Sequence, residues 1–198
     1  EFQIGATEGD GKPLNELLLM PALNFRGVEA GHVGAQASNT IQPEARASID
    51  FRLVPNETPE SVRYLVERHL EAQGYQLVRE TPDAGTRMNY PKIAKVEWGA
   101  GYPPARTALD LPLSRGVADI MTAAGHEPVL LPSVGGSIPM YLFQQPHDTP
   151  VIGLPIANHD DNQHAADENL RLQNLWDGIE IFAALMTSVS GDSLGLTP

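Results

Sequence analysis

The chain has 198 residues and not one cysteine. That absence excludes a disulfide framework and every thiolate metal site, so a bound metal would have to be held by His, Asp or Glu. It is compatible with cytosol and periplasm alike. Basic residues are scarce, because thirteen Lys and Arg face twenty-five Asp and Glu and leave a formal net charge of −12. No Lys/Arg stripe offsets this charge, which repels phosphate backbones, and nucleic acid is not an expected partner. Long apolar runs are missing too. None approaches the roughly 20 residues needed to span a bilayer, so no membrane partner is expected. The opening "EFQIGATEGDGK" is acidic and glycine-rich, unlike a signal peptide, and the expected setting is cytoplasmic.

What is present supports a globular fold, with 41% hydrophobic content in a chain long enough for one ordinary domain or two small ones. Apolar runs at 17–20 and 22–28, broken by Pro21, lead into the glycine-containing "EAGHVGAQAS" and suggest a strand entering a loop. From Glu44, the residues Ala45, Ala47, Ile49, Phe51 and Leu53 alternate with Arg46, Ser48, Asp50 and Arg52, the period of a half-buried strand with Arg52 on its polar face. In "NETPESVRYLVERHLEAQGY", Thr58 suits an N-cap and Pro59 the first helical position. Val62, Leu65, Val66 and Leu70 give the helical stripe, and Gly74 terminates it. "YQLVRE" and "KIAKVEW" read as two short strands around the turn-like "TPDAGTRMNYP". Residues 1–102 are therefore expected to form one α+β unit, an antiparallel sheet carrying a helix.

The character changes after the proline-rich "GYPPARTALDLP". Leu113, Val117, Ile120 and Met121 line a helix closed by Gly125. The strand candidate "PVLLP", the loop "SVGGS", a helix from Pro139, the strand candidate "PVIGLPI" and a closing helix then alternate as β, α, β, α. That order predicts a mostly parallel sheet covered by helices over 103–198, and the fold class of the whole is α/β with an α+β unit in front. In the closing helix Asn174 is the expected cap. Leu175, Ile179, Phe182, Ala183 and Met186 form its expected apolar face.

Three features could carry chemistry. The stretch "HDDNQHAADENL" follows a strand candidate directly, the place where open α/β sheets put their sites. His159 and His164 lack the spacing of a helical zinc motif, and loop histidines among carboxylates are as readily surface groups as ligands. His164 is the better candidate, with Asp160, Asp161, Asp167 and Glu168 around it as acceptors. In "GGSIP", Gly135 and Gly136 permit close backbone approach and Ser137 precedes a helix, so amide donors could face an anion. An ordinary strand-to-helix turn has the same composition. Arg52 suits a bidentate carboxylate contact or a cross-strand salt bridge.

Taken in order, "SNTIQPEARASIDFRLVPNETPE", "GGSIP" and "NQHAADENLRLQNLWDGIEIFAALM" resemble the C-terminal half of the M20 family of metallopeptidases, and within it the carnosinase-like dipeptidase branch. The resemblance implies a catalytic α/β domain interrupted by an α+β lid that dimerises. Residues 1–102 would be lid and dimerisation domain, and 103–198 the returning part of the catalytic domain. It further implies a hydrolase that cleaves an amide bond in small peptides by attack of a metal-bridging water. Two Zn²⁺ ions per complete subunit are implied, with Mn²⁺ or Co²⁺ as alternatives, and His164 is one metal ligand. Asn39, Thr40 and Arg52 would bind substrate from the lid, and Gly135, Gly136 and Ser137 would hold the substrate's carboxylate end. Where such enzymes continue with proline and asparagine after the histidine, this chain has Ala166 and Asp167.

The family's H-x-D motif in its strand-end context and its Glu-Glu pair, which supplies the general base, do not occur here. The resemblance therefore implies a C-terminal fragment that has no catalytic base, is metal-poor and is inactive alone. Its expected partners are a small peptide or N-acyl amino acid substrate and a second copy paired through the lid. Two other readings remain: an N-acyl-amino-acid deacylase, and a non-catalytic dimerisation module.

Overall fold

A computed structural model describes residues 5–6, 9–188 and 190 of the chain. The rest of the acidic opening and residues 191–198 lie outside the described residues. The chain divides into two compact units, Glu1–Ala105 and Arg106–Pro198.

In the first unit, α1 (Leu14–Leu17) precedes strand β1 (Ala22–Glu29), and after a short 3-10 turn (Gly34–Gln36) comes β2 (Arg46–Arg52). These strands pair antiparallel, Ala22 opposite Arg52 and Glu29 opposite Arg46, with a bulge between Phe25 and Gly27. Helix α2 (Pro59–Ala72) starts as its sequence dictates: the Thr58 side chain accepts from the Ser61 N–H, and the Ser61 hydroxyl accepts from the Thr58 N–H. It ends in a Schellman motif. The Gly74 N–H bonds to the Glu71 carbonyl and the Tyr75 N–H to the Leu70 carbonyl, while Gly74 sits at φ 85°, where a side chain would be strained.

A polar clamp fastens α2 to its neighbours. Glu67 Oε1 accepts from Arg63 Nε at 3.0 Å, Arg79 Nη2 at 2.8 Å and Trp98 Nε1 at 2.8 Å. Trp98 also lies 6.3 Å from the Phe51 ring, tying the clamp to β2. Arg79 above all, then Arg63 and Trp98, hold the Glu67 carboxyl below its usual range against an opposing desolvation.

The direction of the second strand pair corrects the expected antiparallel arrangement. β3 (Gln76–Val78) and β4 (Ile93–Lys95) run parallel, Gln76 opposite Ile93. The reason is the segment between them, read from sequence as a turn. Asp83 accepts from the Thr86 N–H at 2.7 Å and nucleates helix α3 (Ala84–Asn89), which makes the connection a crossover rather than a hairpin.

The second unit holds α4 (Pro112–Ala123), α5 (Tyr141–His147) and α6 (Leu172–Ser188). α4 closes on Gly125 at φ 89°, with Gly125 and His126 N–H groups bonded back to Thr122 and Met121. Helices α4 and α6 pack together, and His126 Nε2 lies 3.6 Å from Glu180 Oε2 between them. The expected strands at 128–132 and 150–156 are not formed, because neither finds a neighbour to complete a ladder among the described residues. At Val151 a side chain takes the place of a strand: the Thr107 hydroxyl accepts from the Val151 N–H at 3.0 Å and donates to its carbonyl at 2.6 Å. The mixed α/β class thus holds, with one antiparallel and one parallel pair among the described residues, both in the first unit.

Helix α6 departs from expectation at its start and in its inward face. It begins at Leu172, so Asn174 lies inside the helix rather than capping it. Gly178 and Leu185 are the residues buried, while Ile179, Phe182 and Met186 face solvent. The helix is apolar on more than one side, and Gly178, which touches Ile156, decides which side turns inward. Leu172, Trp176, Ile179, Ala183 and Met186 follow one another at spacings of four, three, four and three, an exposed apolar stripe in which Trp176 is 57% and Met186 85% accessible. The chain exposes 15289 Å² for 21.4 kDa. Two separate compact domains of half that mass would together expose about 11,000 Å², so much apolar surface remains uncovered. Among the described residues no helix is long and apolar enough to cross a membrane.

Candidate functional site

The loop that carries His164 is shaped by its own polar side chains. Asn158, 5% accessible, is the one buried polar residue among those described. Its Nδ2 donates to Asp160 Oδ1 at 2.9 Å and to Asn169 Oδ1 at 3.4 Å, and its Oδ1 accepts from the Arg171 N–H at 2.9 Å. Arg171 Nη2 reaches Asp160 Oδ2 at 2.5 Å. Asn158 first, and the Arg171 charge after it, hold the Asp160 carboxyl below the usual range, against desolvation. Farther along, Asp161 Oδ1 accepts from the Gln163 N–H, and the Asn169 N–H bonds to the Asp161 carbonyl at 2.8 Å. Asn169 Nδ2 donates to the Asp167 carbonyl at 3.1 Å.

His164 is exposed and stands at φ 65°, flanked by Asn162 at 56° and Asp167 at 61°. The left-handed region is unusual for a histidine and is held here by the bonded loop around it. Two of the four acids expected to support His164 are engaged elsewhere: Asp160 with Asn158 and Arg171, Asp161 with the Gln163 amide. Among the described residues no three His, Asp or Glu groups converge closely enough to hold a metal ion. A neutral imidazole fits a divalent ion as a single donor, and three or more donors are needed to hold one.

The other candidates lie on separate segments. Gly135, Gly136 and Ser137 are exposed on the loop before α5, which begins at Tyr141 rather than Pro139. A Cβ at Gly135 or Gly136 would meet nothing within 4 Å, so packing within the chain does not demand glycine there. Asn39 and Thr40 are exposed in the coil leading to β2, where Ser38 Oγ donates to Thr40 Oγ1 at 3.0 Å. Arg52 Nε lies 2.6 Å from Asp50 Oδ1 on the same face of β2. The oxygen is shielded from solvent yet has no aligned hydrogen bond, so the attraction is Coulombic.

Sequence reasoning missed Asn158 and Thr107. Asn158 stands one position before "HDDNQH", and an amide heading a run of Asx residues is the available signal for it. Thr107, among prolines, gives none.

With this geometry in place, comparison with known proteins shows what the chain is similar to. Residues 5–78, within the first unit, match the model of the M20 peptidase dimerisation domain. The chain as a whole is similar to the Beta-Ala-His dipeptidase of Rattus norvegicus, 27% identical over 184 residues that cover 89% of this chain and 34% of that protein. It is similar also to the Cys-Gly metallodipeptidase of Saccharomyces cerevisiae, 28% identical over 170 residues, 84% of this chain and 32% of that one. Among solved structures, an M20 family metallo-carboxypeptidase from Sulfolobus solfataricus shares the fold with a TM-score of 0.66 at 24% identity, over 87% of this chain and 36% of that one. The chain thus spans about a third of the length of the relatives it matches.

Proposed function

We propose that this chain is the lid and the returning catalytic part of a metal-dependent hydrolase that cleaves an amide bond in dipeptides or related small substrates. What supports the reading is the reach of the similarity. Metallodipeptidase relatives match 84–89% of the chain and so extend through both units, whereas a bare pairing module would account for residues 5–78 alone.

In this reading His164 holds one of two divalent ions, zinc by preference and manganese or cobalt as substitutes. When bound, the ions supply Lewis-acid activation of water and of the scissile carbonyl. Arg52, with Asn39 and Thr40 beside the lid strand, binds the substrate, and a substrate carboxylate competes with Asp50 for the guanidinium. Gly135, Gly136 and Ser137 offer amide and hydroxyl donors to the substrate's carboxylate end. The general base and the remaining ligands come from polypeptide outside this sequence, so the chain alone is inactive, and the lid pairs two copies.

The test is to express the complete open reading frame and assay hydrolysis of Beta-Ala-His and Cys-Gly with and without a chelator. Chelator-sensitive turnover is expected, lost about a hundredfold or more in His164→Ala. Hydrolysis by the 198-residue chain alone, or an unimpaired His164→Ala enzyme, would overturn the reading. Preference for N-acyl amino acids over dipeptides would convert it to a deacylase, and stable dimers without turnover to a pairing module.

A further inference from the structure

The loop from 159 to 170 is closed at its neck by one side chain that no motif singled out. We infer that Asn158 is a positioning residue for His164: it locks the loop shut and so fixes the direction in which the imidazole is offered. The inference rests on the reading of His164 as a ligand and extends it to the residue that presents that ligand.

Three observations carry it. First, Asn158 is buried and both ends of its carboxamide are used, with bonds to residues 160, 169 and 171 on the two sides of the neck. Only an oxygen can accept the Arg171 N–H, so the orientation of the amide is determined, and its nitrogen must face Asp160 and Asn169. Secondly, Asp160, aligned by Asn158, spans the neck to Arg171 Nη2 and repeats the closure. Thirdly, the loop beyond the neck passes through three left-handed residues, Asn162, His164 and Asp167. Such conformations persist only where the surroundings over-determine them. The Asn169 bonds to Asp161 and Asp167 supply that constraint, and Asn169 is itself held by Asn158.

Arg171, which is half exposed, spans the neck only through Asp160, and the Asn169 side chain bonds to Asp161 and Asp167 within the loop; Asn158 is the buried one of the three. A structural amide elsewhere in the unit would stabilise without selecting a conformation of His164. Asn158 acts on that conformation because its partners bracket the histidine on both sides.

The experiment uses the chain itself. In Asn158→Ala, the amides of Gln163, Ala165, Asn169 and Arg171 are expected to exchange at least roughly tenfold faster, while those of α2 and α4 are unchanged. The His164 ring resonance is expected to shift and broaden, and the His126 and His147 rings to stay in place, a local signature that general destabilisation would not give. Asn158→Asp keeps an acceptor for the Arg171 N–H but loses the donor, so it should restore protection at Arg171 alone and guards against an alanine variant that fails to fold. Unchanged loop exchange with an unchanged His164 resonance in Asn158→Ala would overturn the inference. The ligand reading fails separately, if zinc binding by the complete enzyme survives His164→Ala.

Discussion

Replacing Gly178 by alanine sets two effects of opposite sign against each other. Gly178 lies within α6, where exchanging glycine for alanine gains about 0.5–1 kcal/mol of backbone entropy. A Cβ there would stand 2.8 Å from Ile156 Cγ2, 3.0 Å from Cδ1 and 3.1 Å from Cβ. Two of these atoms belong to the stiff, branched root of the side chain, which cannot rotate away freely. Overpacking of this kind costs about 1–3 kcal/mol, so the net expectation is a loss of about 1 kcal/mol, or about 2–4 °C in Tm for a chain of this size. In an Ile156→Ala background the obstacle is gone, and Gly178→Ala should then stabilise by about 0.5–1 kcal/mol. The assay is urea unfolding followed by fluorescence of Trp176, with Trp98→Phe in every member of the cycle so that one indole reports. A Gly178→Ala protein as stable as its parent, or the same effect in both backgrounds, would refute the reasoning.

Three further outcomes are expected. Thr107→Val removes the hydroxyl that serves both backbone groups of Val151 while keeping its shape; a loss of about 1–3 kcal/mol and faster exchange at the Val151 amide should follow, and unchanged exchange would count against the side-chain rung. Gly125→Ala places a side chain at φ 89° and should lower stability by about 1–2 kcal/mol, read as a fall in Tm. Glu67 has a depressed pKa in the folded chain, set first by Arg79, so its contribution is fully present above the ordinary carboxylate pKa of 4.5 and is lost as pH falls through the lower folded value. The stability gap between parent and Glu67→Gln should accordingly shrink on acidification from pH 7; a gap that stays constant down to pH 2 would contradict the clamp.

What the sequence disclosed was local. Thr58 with Pro59, Gly74 and Gly125 mark helix ends through capping chemistry that depends on a few adjacent residues, and the structure has those ends where the residues put them. Strand direction is different, because it depended on whether "AGTRMN" is a turn or a helix, and six residues with little apolar periodicity do not decide that. The segments 128–132 and 150–156 are apolar enough for strands, but a strand exists only through a partner, which no local pattern specifies. Around His164 the acidic residues suggested support for a ligand. The partners of Asp160 and Asp161 turned out to be amides and Arg171, since short polar side chains in a loop bond first to nearby backbone and to one another. The family resemblance was legible in motif order, and the match of residues 5–78 to the M20 peptidase dimerisation domain agrees with it.

The stripe of Leu172, Trp176, Ile179, Ala183 and Met186 has a meaning beyond packing. Inside a cell, a row of exposed apolar side chains along one helix is what chaperones and degradative proteases engage as a mark of unfinished folding. The lifetime of this polypeptide is therefore tied to the covering of one face of α6. Substitutions at Trp176 or Met186 can change how much of it survives while leaving the chemistry at His164 as it was.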